Sequence, residues 1–295
     1  MICTDKFWQG HPVLATARSF LFVPANRPER FAKALASAAD AIIIDLEDAV
    51  APADKSAARD QLAQAFGQFA ELDRRRTVVR VNAGVTPWFE HDLGLLPSLV
   101  QAGLGGVMLA KAETTEPLRQ LAHKLGPACA LLPLVESLAG FDALDALASA
   151  PQVLRLAFGH LDFQADLGLA CGVDEAELVP VRLSLVMAAR RAGLAPVIDG
   201  VTVDSRDESR LRSDAERARR GGFGAKLCIH PLQTALVNAA FVPHAVELAW
   251  ARRLVAAFEA AGGGVFSLDG RMVDAPVLRL AQRTLALAPE APLDQ

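Results

Sequence analysis

Two short apolar runs, each ending in a carboxylate, carry the residues best suited to chemistry. One reads Ala130-Leu-Leu-Pro-Leu-Val-Glu136 and the other Leu154-Arg-Leu-Ala-Phe-Gly-His160-Leu-Asp162. Between them Phe141, Leu144 and Leu147 have the spacing of a short helix over 140–150, so the stretch predicts strand, helix, strand. Parallel strands joined in this way end on the same side of their sheet, which sets Glu136 and Asp162 side by side at one rim. Adjacent carboxylates repel unless one is protonated or a cation lies between them. A hard divalent ion with oxygen ligands, Mg2+ above all, resolves the conflict and leaves positions for water and substrate.

The elements that would position this pair recur along the chain. Apolar runs of strand length fall at 19–24, 41–48, 77–82, 106–111, 130–136, 154–163, 195–200 and 225–231, and helical spacing covers 28–39, 54–70, 115–125, 175–192 and 206–220. Eight strands alternating with helices predict an α/β fold, a (β/α)8 TIM barrel. The runs are apolar on both faces, as strands buried under helices are. An open doubly wound sheet is the competing arrangement, but no G-x-G-x-x-G follows the first strand. A helix over 232–240 closes the barrel. Two further segments, 245–261 and 276–287, flank Gly262-Gly-Gly264 and residues 265–274 and read as a C-terminal helical extension, hinged at the glycines and suited to pack on a neighbouring subunit. The expected division is a lead-in over 1–17, a catalytic barrel over 18–242 and the extension over 243–295.

Composition narrows the function classes. The chain has 295 residues, 52% hydrophobic and 22% charged, with a formal net charge of −4. That balance gives a globular core and no broad basic face for nucleic acid. The arginine clusters 74–76, 190–191 and 219–220 fall at predicted helix ends, where they favour the dipole. Four cysteines in no metal or disulfide spacing fit a reducing, cytoplasmic setting. No signal peptide is legible, and the longest uncharged run, 93–110, is broken by glycines and Pro97, so no membrane span is expected.

In a barrel every strand end converges on the C-terminal face, where active sites sit. Here the ends carry Asn26, Asp45 with Glu47 and Asp48, Arg80 with Asn82, Lys111, Glu136, Asp162, Asp199 and His230. Each alone has a structural explanation: Asp45, Glu47 or Asp48 caps the next helix, Lys111 pairs with a carboxylate, His230 before Pro231 makes a turn. Together they mark a site rather than a reaction. Arg80, inside Val78-Val-Arg-Val81, is costly to bury without anions. Glu47, Asp48 or Glu136 would serve, as would an anionic substrate or a developing oxyanion.

The run Arg18-Ser-Phe-Leu-Phe-Val-Pro-Ala-Asn-Arg-Pro-Glu-Arg-Phe31, followed by Ala41-Ile-Ile-Ile-Asp-Leu-Glu-Asp-Ala-Val50, resembles the opening of the citrate lyase β-subunit-like family of the HpcH/HpaI aldolase superfamily. Val79-Arg-Val-Asn82, the Glu136 and Asp162 segments, Cys228-Ile-His-Pro231 and Gly270-Arg-Met-Val-Asp274 resemble its later blocks in order. The resemblance implies a Mg2+-dependent carbon–carbon lyase that cleaves a 3-hydroxyacyl-CoA thioester (malyl-, citramalyl- or citryl-CoA-like) into an acyl-CoA and a small 2-oxo acid. It assigns the metal to Glu136 and Asp162, the thioester oxygen to Arg80, and to Asp274 a catalytic role in a neighbour's site within a homotrimer or hexamer. Asp45, Glu47, Asp48, Lys111, His160 and Asp199 are expected around substrate and metal. Ala25 stands where the family often has glycine, and His160-Leu161-Asp162 where it often has a small residue, an acid and Asp. The alternatives are a class II aldolase on free 2-oxo acids, a non-catalytic barrel that binds acyl-CoA and metal, and a substrate borne by an acyl carrier protein.

Overall fold

The structure, a computed structural model, describes residues 10–262 and 264–287. Residues 1–9 of the expected lead-in, Gly263 of the glycine run, and residues 288–295 lie outside the described residues. The chain forms two compact units, one ending at Asn238 and the other starting at Ala239.

In the first unit eight parallel strands close into a barrel: β1 (Ser19–Pro24), β2 (Ala41–Asp45), β3 (Thr77–Val81), β4 (Gly106–Leu109), β5 (Ala130–Val135), β6 (Ala157–Phe158), β7 (Ile198–Asp199) and β8 (Ala225–Cys228). Side chains alternate across a strand. Phe20, Ile43, Val78, Met108, Leu132, Leu134, Ile198 and Leu227 therefore form one continuous interior cluster, while Ile42, Ile44, Val79 and Val107, equally buried, face the surrounding helices. Each such aliphatic side chain contributes about 1.5–3 kcal/mol by leaving water. The same alternation carries Asp45 in line with Ile43, Arg80 with Val78, and Glu136 with Leu132 and Leu134. These charges top the apolar layers at the C-terminal end of the strands.

Several elements differ from expectation for local reasons. Strands β6 and β7 have two residues each. Pro196 has no N–H to give the ladder, and its carbonyl accepts instead from Arg155 Nε at 2.6 Å. Part of the expected lead-in is a helix, Pro12–Thr16, with Leu14 buried against the barrel floor. Arg155 Nη1 holds the carbonyls of Leu14 and Ala17 at 3.0 and 2.7 Å, and a Cβ on Gly106 would lie 2.9 Å from Leu14 Cδ1, so only glycine admits that side chain. The helix expected over 140–150 is two, Leu138–Asp142 and Leu144–Ala148, the first capped by Ser137 through Gly140 N. The uncharged run 93–110 holds the end of helix Phe89–Gln101, which includes Pro97, and the strand β4. Two of the arginines in the 74–76 cluster serve helix ends: Arg74 donates to Ala102 O at 2.8 Å, past the last turn of helix Phe89–Gln101, and Arg76 donates to Leu35 O at the end of helix Phe31–Leu35 and to Ala39 O beyond it at 2.7 Å.

The second unit contains helix Ala245–Ala260, a hairpin of β9 (Phe266–Leu268) and β10 (Arg271–Val273), and helix Ala275–Ala286. Its small core is Ala251, Leu254, Val273 and Ala281, with Trp250, Phe258 and Phe266 packed on it. Asp269 and Gly270 turn the hairpin at φ 51° and 76°, the positive values that a two-residue Asp-Gly loop adopts. Among the described residues no helix is long and apolar enough to cross a membrane.

Candidate active site

Parallel pairing puts Asp45 opposite Arg80 in the β2–β3 register. Both side chains face the barrel interior, and they meet edge to edge: Arg80 Nε donates to Asp45 Oδ1 at 2.7 Å and Nη2 to Oδ2 at 2.6 Å. Arg80 Nη1 lies 3.2 Å from Glu47 Oε2, and the guanidinium stacks 4.8 Å over the Phe22 ring. Burial works against the charge, but Asp45, Glu47 and Glu136 outweigh it and raise the Arg80 pKa above its ordinary value. The fork toward Asp45 is saturated, and the Nη1–Nη2 edge keeps N–H groups for another oxygen. Asp45 also caps the loop beyond it, accepting from Glu47 N at 2.9 Å and Ala49 N at 3.1 Å. It therefore serves as cap and anchor at once.

Lys111 stands just past β4 in the left-handed region, with φ 45°. That turn aims its N–H at Glu136 Oε1, 2.7 Å away, and its ammonium pairs with Glu47 and lies 3.5 Å from Asp48 Oδ1. Burial opposes the charge, yet Glu47, Glu136 and Asp48 hold the Lys111 pKa above the usual lysine value. Glu47 has its carboxyl pushed up by burial, with Arg80 and Lys111 opposing. Sequence reasoning missed Lys55, whose buried ammonium donates to the carbonyls of Leu46 and Glu47 at 2.8 and 3.0 Å and lies 4.9 Å from the Trp88 ring. Asn82 supports the same loop, donating to Leu46 O at 3.1 Å and Asp92 Oδ2 at 2.6 Å. A cavity of about 280 Å³ opens here, lined among others by Glu47, Asp48, Lys55, Trp88 and Lys111.

Glu136 follows β5 and is buried, whereas Asp162 is exposed in the first turn of helix His160–Leu167. Burial, with Asp162 adding to it, pushes the Glu136 carboxyl up to about 8 against the pull of Arg80 and Lys111. Gly159 makes the room: a Cβ there would lie 2.6 Å from Glu136 Cβ. A carboxyl crowded toward protonation beside a free carboxylate is an arrangement that a divalent cation relieves, so the pair fits such an ion. Among the described residues no group of three or more His, Cys, Asp or Glu side chains is gathered to hold a metal. An ion here would rest on two carboxylates, with water and substrate oxygens completing its shell.

Two expected site residues make their contacts outside the cluster of Asp45, Glu47, Arg80, Lys111 and Glu136. Asp199 alternates away from the interior residue Ile198 and pairs with Arg182 Nε at 3.0 Å on the helix side of the sheet. His160 is buried 3.5 Å from Glu175 Oε1, and burial lowers its pKa to about 4 despite Glu175 and Asp199, which keeps the imidazole neutral. Neither Arg182 nor Glu175 was singled out from the sequence. Arg182 carried the signal that flagged Arg80, a cation inside the apolar run Val179-Pro-Val-Arg-Leu. His230 accepts at Nδ1 from Leu232 N at 3.2 Å, as a turn residue does. Asn26 Oδ1 is buried without a partner among the described residues. Asp274 belongs to the second unit, where it caps helix Ala275–Ala286 by accepting from Val277 N at 3.1 Å.

A closed parallel barrel whose strand ends carry an anchored arginine and a carboxylate pair has the frame of a TIM-barrel enzyme, with its chemistry at the C-terminal rim. Comparison with known proteins makes the class specific. The chain belongs to the HpcH/HpaI aldolase/citrate lyase family, whose model matches residues 18–231. It is 39% identical over 282 residues to the citrate lyase subunit beta-like protein of Mycobacterium tuberculosis strain H37Rv, covering 94% of this chain and 97% of that protein. It is 34% identical over 283 residues to a (3S)-malyl-CoA thioesterase of Cereibacter sphaeroides, covering 95% and 96%. The crystal structure of CitE from M. tuberculosis with magnesium, acetoacetate and coenzyme A matches with a TM-score of 0.80 and 38% identity, over 93% of this chain and 99% of that one.

Proposed function

We propose that this protein is a Mg2+-dependent carbon–carbon lyase that reversibly cleaves a 3-hydroxyacyl-CoA thioester of the malyl, citramalyl or citryl type into an acyl-CoA and a small 2-oxo acid. The observation that carries the reading is the placement of buried Glu136 and exposed Asp162 at the ends of neighbouring strands β5 and β6, at the rim where Arg80 is anchored on Asp45 by two hydrogen bonds. The magnesium and coenzyme A bound by the similar CitE support it.

Glu136 and Asp162 would hold the ion, which supplies Lewis-acid polarisation and orientation of the substrate's carboxylate and hydroxyl oxygens. The substrate hydroxyl gives its proton to solvent water at the rim, the bond between the hydroxyl-bearing carbon and the carbon next to the thioester breaks, and its electrons pass into the thioester enolate. Arg80, held still by Asp45, donates from its Nη1–Nη2 edge to the enolate oxygen. Lys111 and Glu47 fix the loops on either side. Asp274, contributed by a neighbouring subunit of a homotrimer or hexamer, returns a proton to the enolate carbon. We place the enzyme in the cytoplasm, in keeping with the free thiols of Cys129, Cys171 and Cys228. Barrel and extension divide the work, the first carrying metal and arginine and the second the proton donor.

The similarity to a malyl-CoA thioesterase favours one second reading, hydrolysis of the thioester by water at the same rim. One assay separates the two. The protein is incubated with acetyl-CoA or propionyl-CoA and each of glyoxylate, pyruvate and oxaloacetate, with Mg2+, with EDTA, and as Glu136→Gln. A Mg2+-dependent condensation product, absent in the variant, supports the lyase reading and names the substrate pair. No condensation with any pair, together with release of free CoA from malyl-CoA, favours the hydrolase.

A further inference from the structure

We propose that His160 and Glu175 are positioning residues for Asp162, clamping the first turn of its helix so that the carboxylate stands where metal and substrate need it. The proposal rests on the lyase reading, which makes Asp162 one of two groups holding the ion.

Asp162 is exposed, and among the described residues its carboxylate makes no hydrogen bond or ion pair. Its place is therefore set by the backbone of helix His160–Leu167, which follows a strand of only two residues. Phe163 anchors one side of the first turn. Its N–H donates to Gly159 O at 3.0 Å, and its ring packs 5.5 Å from Phe158 and 6.1 Å from Phe141.

His160 anchors the other side. The buried imidazole lies on Gly200, where a Cβ would come within 2.8 Å of its Cε1 and 2.9 Å of its Cγ. Among the described residues its one carboxylate contact is Glu175 Oε1, at 3.5 Å from Nε2. Glu175 is itself held far more firmly than an ordinary loop residue. It adopts the left-handed conformation at φ 49°, which a residue carrying a side chain takes up only when its surroundings hold it there. Its carboxylate collects Arg182 Nη2 at 2.5 Å, Arg217 Nη2 at 2.9 Å and Arg210 Nη2 at 3.3 Å. These arginines come from helices Val179–Arg191 and Glu208–Arg220, and Arg182 continues to Asp199 at 3.0 Å.

The asymmetry assigns the roles. Three guanidiniums already satisfy Glu175, so the imidazole adds little to its stability. The imidazole depends on Glu175 and Gly200 for its place. What the contact fixes is the start of the helix, two residues before Asp162. Functional carboxylates must be held within about 0.5 Å of the productive geometry, and loss of a group that orients a metal-holding residue weakens metal binding by about 10- to 100-fold.

The test is a Mn2+ titration of the full-length protein, reading free Mn2+ by electron paramagnetic resonance, with the KM for acyl thioester measured separately at saturating Mg2+. Wild type, His160→Ala, His160→Gln, Gly200→Ala and a Glu136→Gln control are compared. His160→Ala and Gly200→Ala are expected to bind Mn2+ more weakly by about 10- to 100-fold with the thioester KM little changed. His160→Gln, whose amide nitrogen takes the place of Nε2, is expected to bind close to wild type. The proposal is overturned if a folded His160→Ala binds Mn2+ as wild type does, or if His160→Gln is as weak as His160→Ala. Should His160→Ala fail to fold, wild-type affinity in Gly200→Ala overturns it. Wild type and Glu136→Gln both failing to bind would instead mark failure of the metal-dependent reading, and the clamp would fall with it.

Discussion

Asp45 and Arg80 stand opposite each other in the parallel register of β2 and β3, and the guanidinium meets the carboxylate through two hydrogen bonds of 2.7 and 2.6 Å. The arginine is thus fixed before any substrate arrives. Asp45→Asn weakens that anchor and Arg80→Lys removes the fork. Both are expected to lower kcat/KM for thioester cleavage by about 100-fold while Mn2+ affinity stays near wild type. Asp45→Ala leaves a buried cation short of its partner and should cost about 3–5 kcal/mol in urea unfolding.

The Glu136 carboxyl is pushed up to about 8, chiefly by burial. An unfolded glutamate titrates near ~4.3, so between those values the folded protein keeps a proton that the unfolded chain has released. The metal-free protein should therefore lose stability as pH rises from about 4.5 to 8, with a slope approaching about 1.4 kcal/mol per pH unit. Glu136→Gln should flatten this part of the profile in denaturant melts. A divalent ion must displace the same proton, so Mn2+ affinity should climb with pH up to about 8 in the wild type.

Gly159 owes its identity to Glu136, since a Cβ there would lie 2.6 Å from Glu136 Cβ and 3.2 Å from its Cδ. Gly159→Ala should displace the carboxylate, weaken Mn2+ binding about tenfold or more, and cost about 1–3 kcal/mol from overpacking. Gly67→Ala is the control, because nothing lies within 4 Å of that added carbon.

Lys111 combines a φ of 45° with an N–H bonded to Glu136 and an ammonium paired with Glu47. Lys111→Gly and Lys111→Ala both remove the ammonium, but only alanine retains the backbone strain. The glycine variant should be the more stable by about 1 kcal/mol in thermal or urea unfolding, and both should lose catalytic rate.

Asp274 caps its helix through Val277 N, and asparagine caps as well as aspartate does. Asp274→Asn should therefore keep its stability and metal affinity and lose turnover. If the aspartate serves a neighbouring subunit, mixing inactive Asp274→Asn with inactive Glu136→Gln and reassembling them should restore part of the activity. Mixtures as inactive as their parents would assign the residue to its own subunit's helix alone.

The barrel was legible because each of its strands leaves an apolar run that no neighbouring contact is needed to explain. The length of β6 and β7 was not, since it depends on Arg155 reaching Pro196 across the sheet. Arg80 announced its need for an anion, but Asp45 is its partner through a register that only strand pairing sets. The direction of the Asp199 side chain was not legible because a two-residue strand gives no alternation to read. The Glu175 cluster joins residues from 160 to 217, a separation over which local pattern says nothing. The hairpin of the second unit was within reach: Leu268-Asp-Gly-Arg271 is a two-residue turn signal, there read only as a connection.

The most direct measurement of the central claim is the fate of a 3-hydroxyacyl-CoA such as malyl-CoA on purified protein, followed by mass spectrometry with a carbonyl reagent present to trap any 2-oxo acid. The account expects acyl-CoA and trapped 2-oxo acid in equal amounts, with Mg2+ and not with EDTA, and neither from Glu136→Gln. Free CoA and the intact hydroxy acid, with no trapped 2-oxo acid from any thioester of this type, would contradict it.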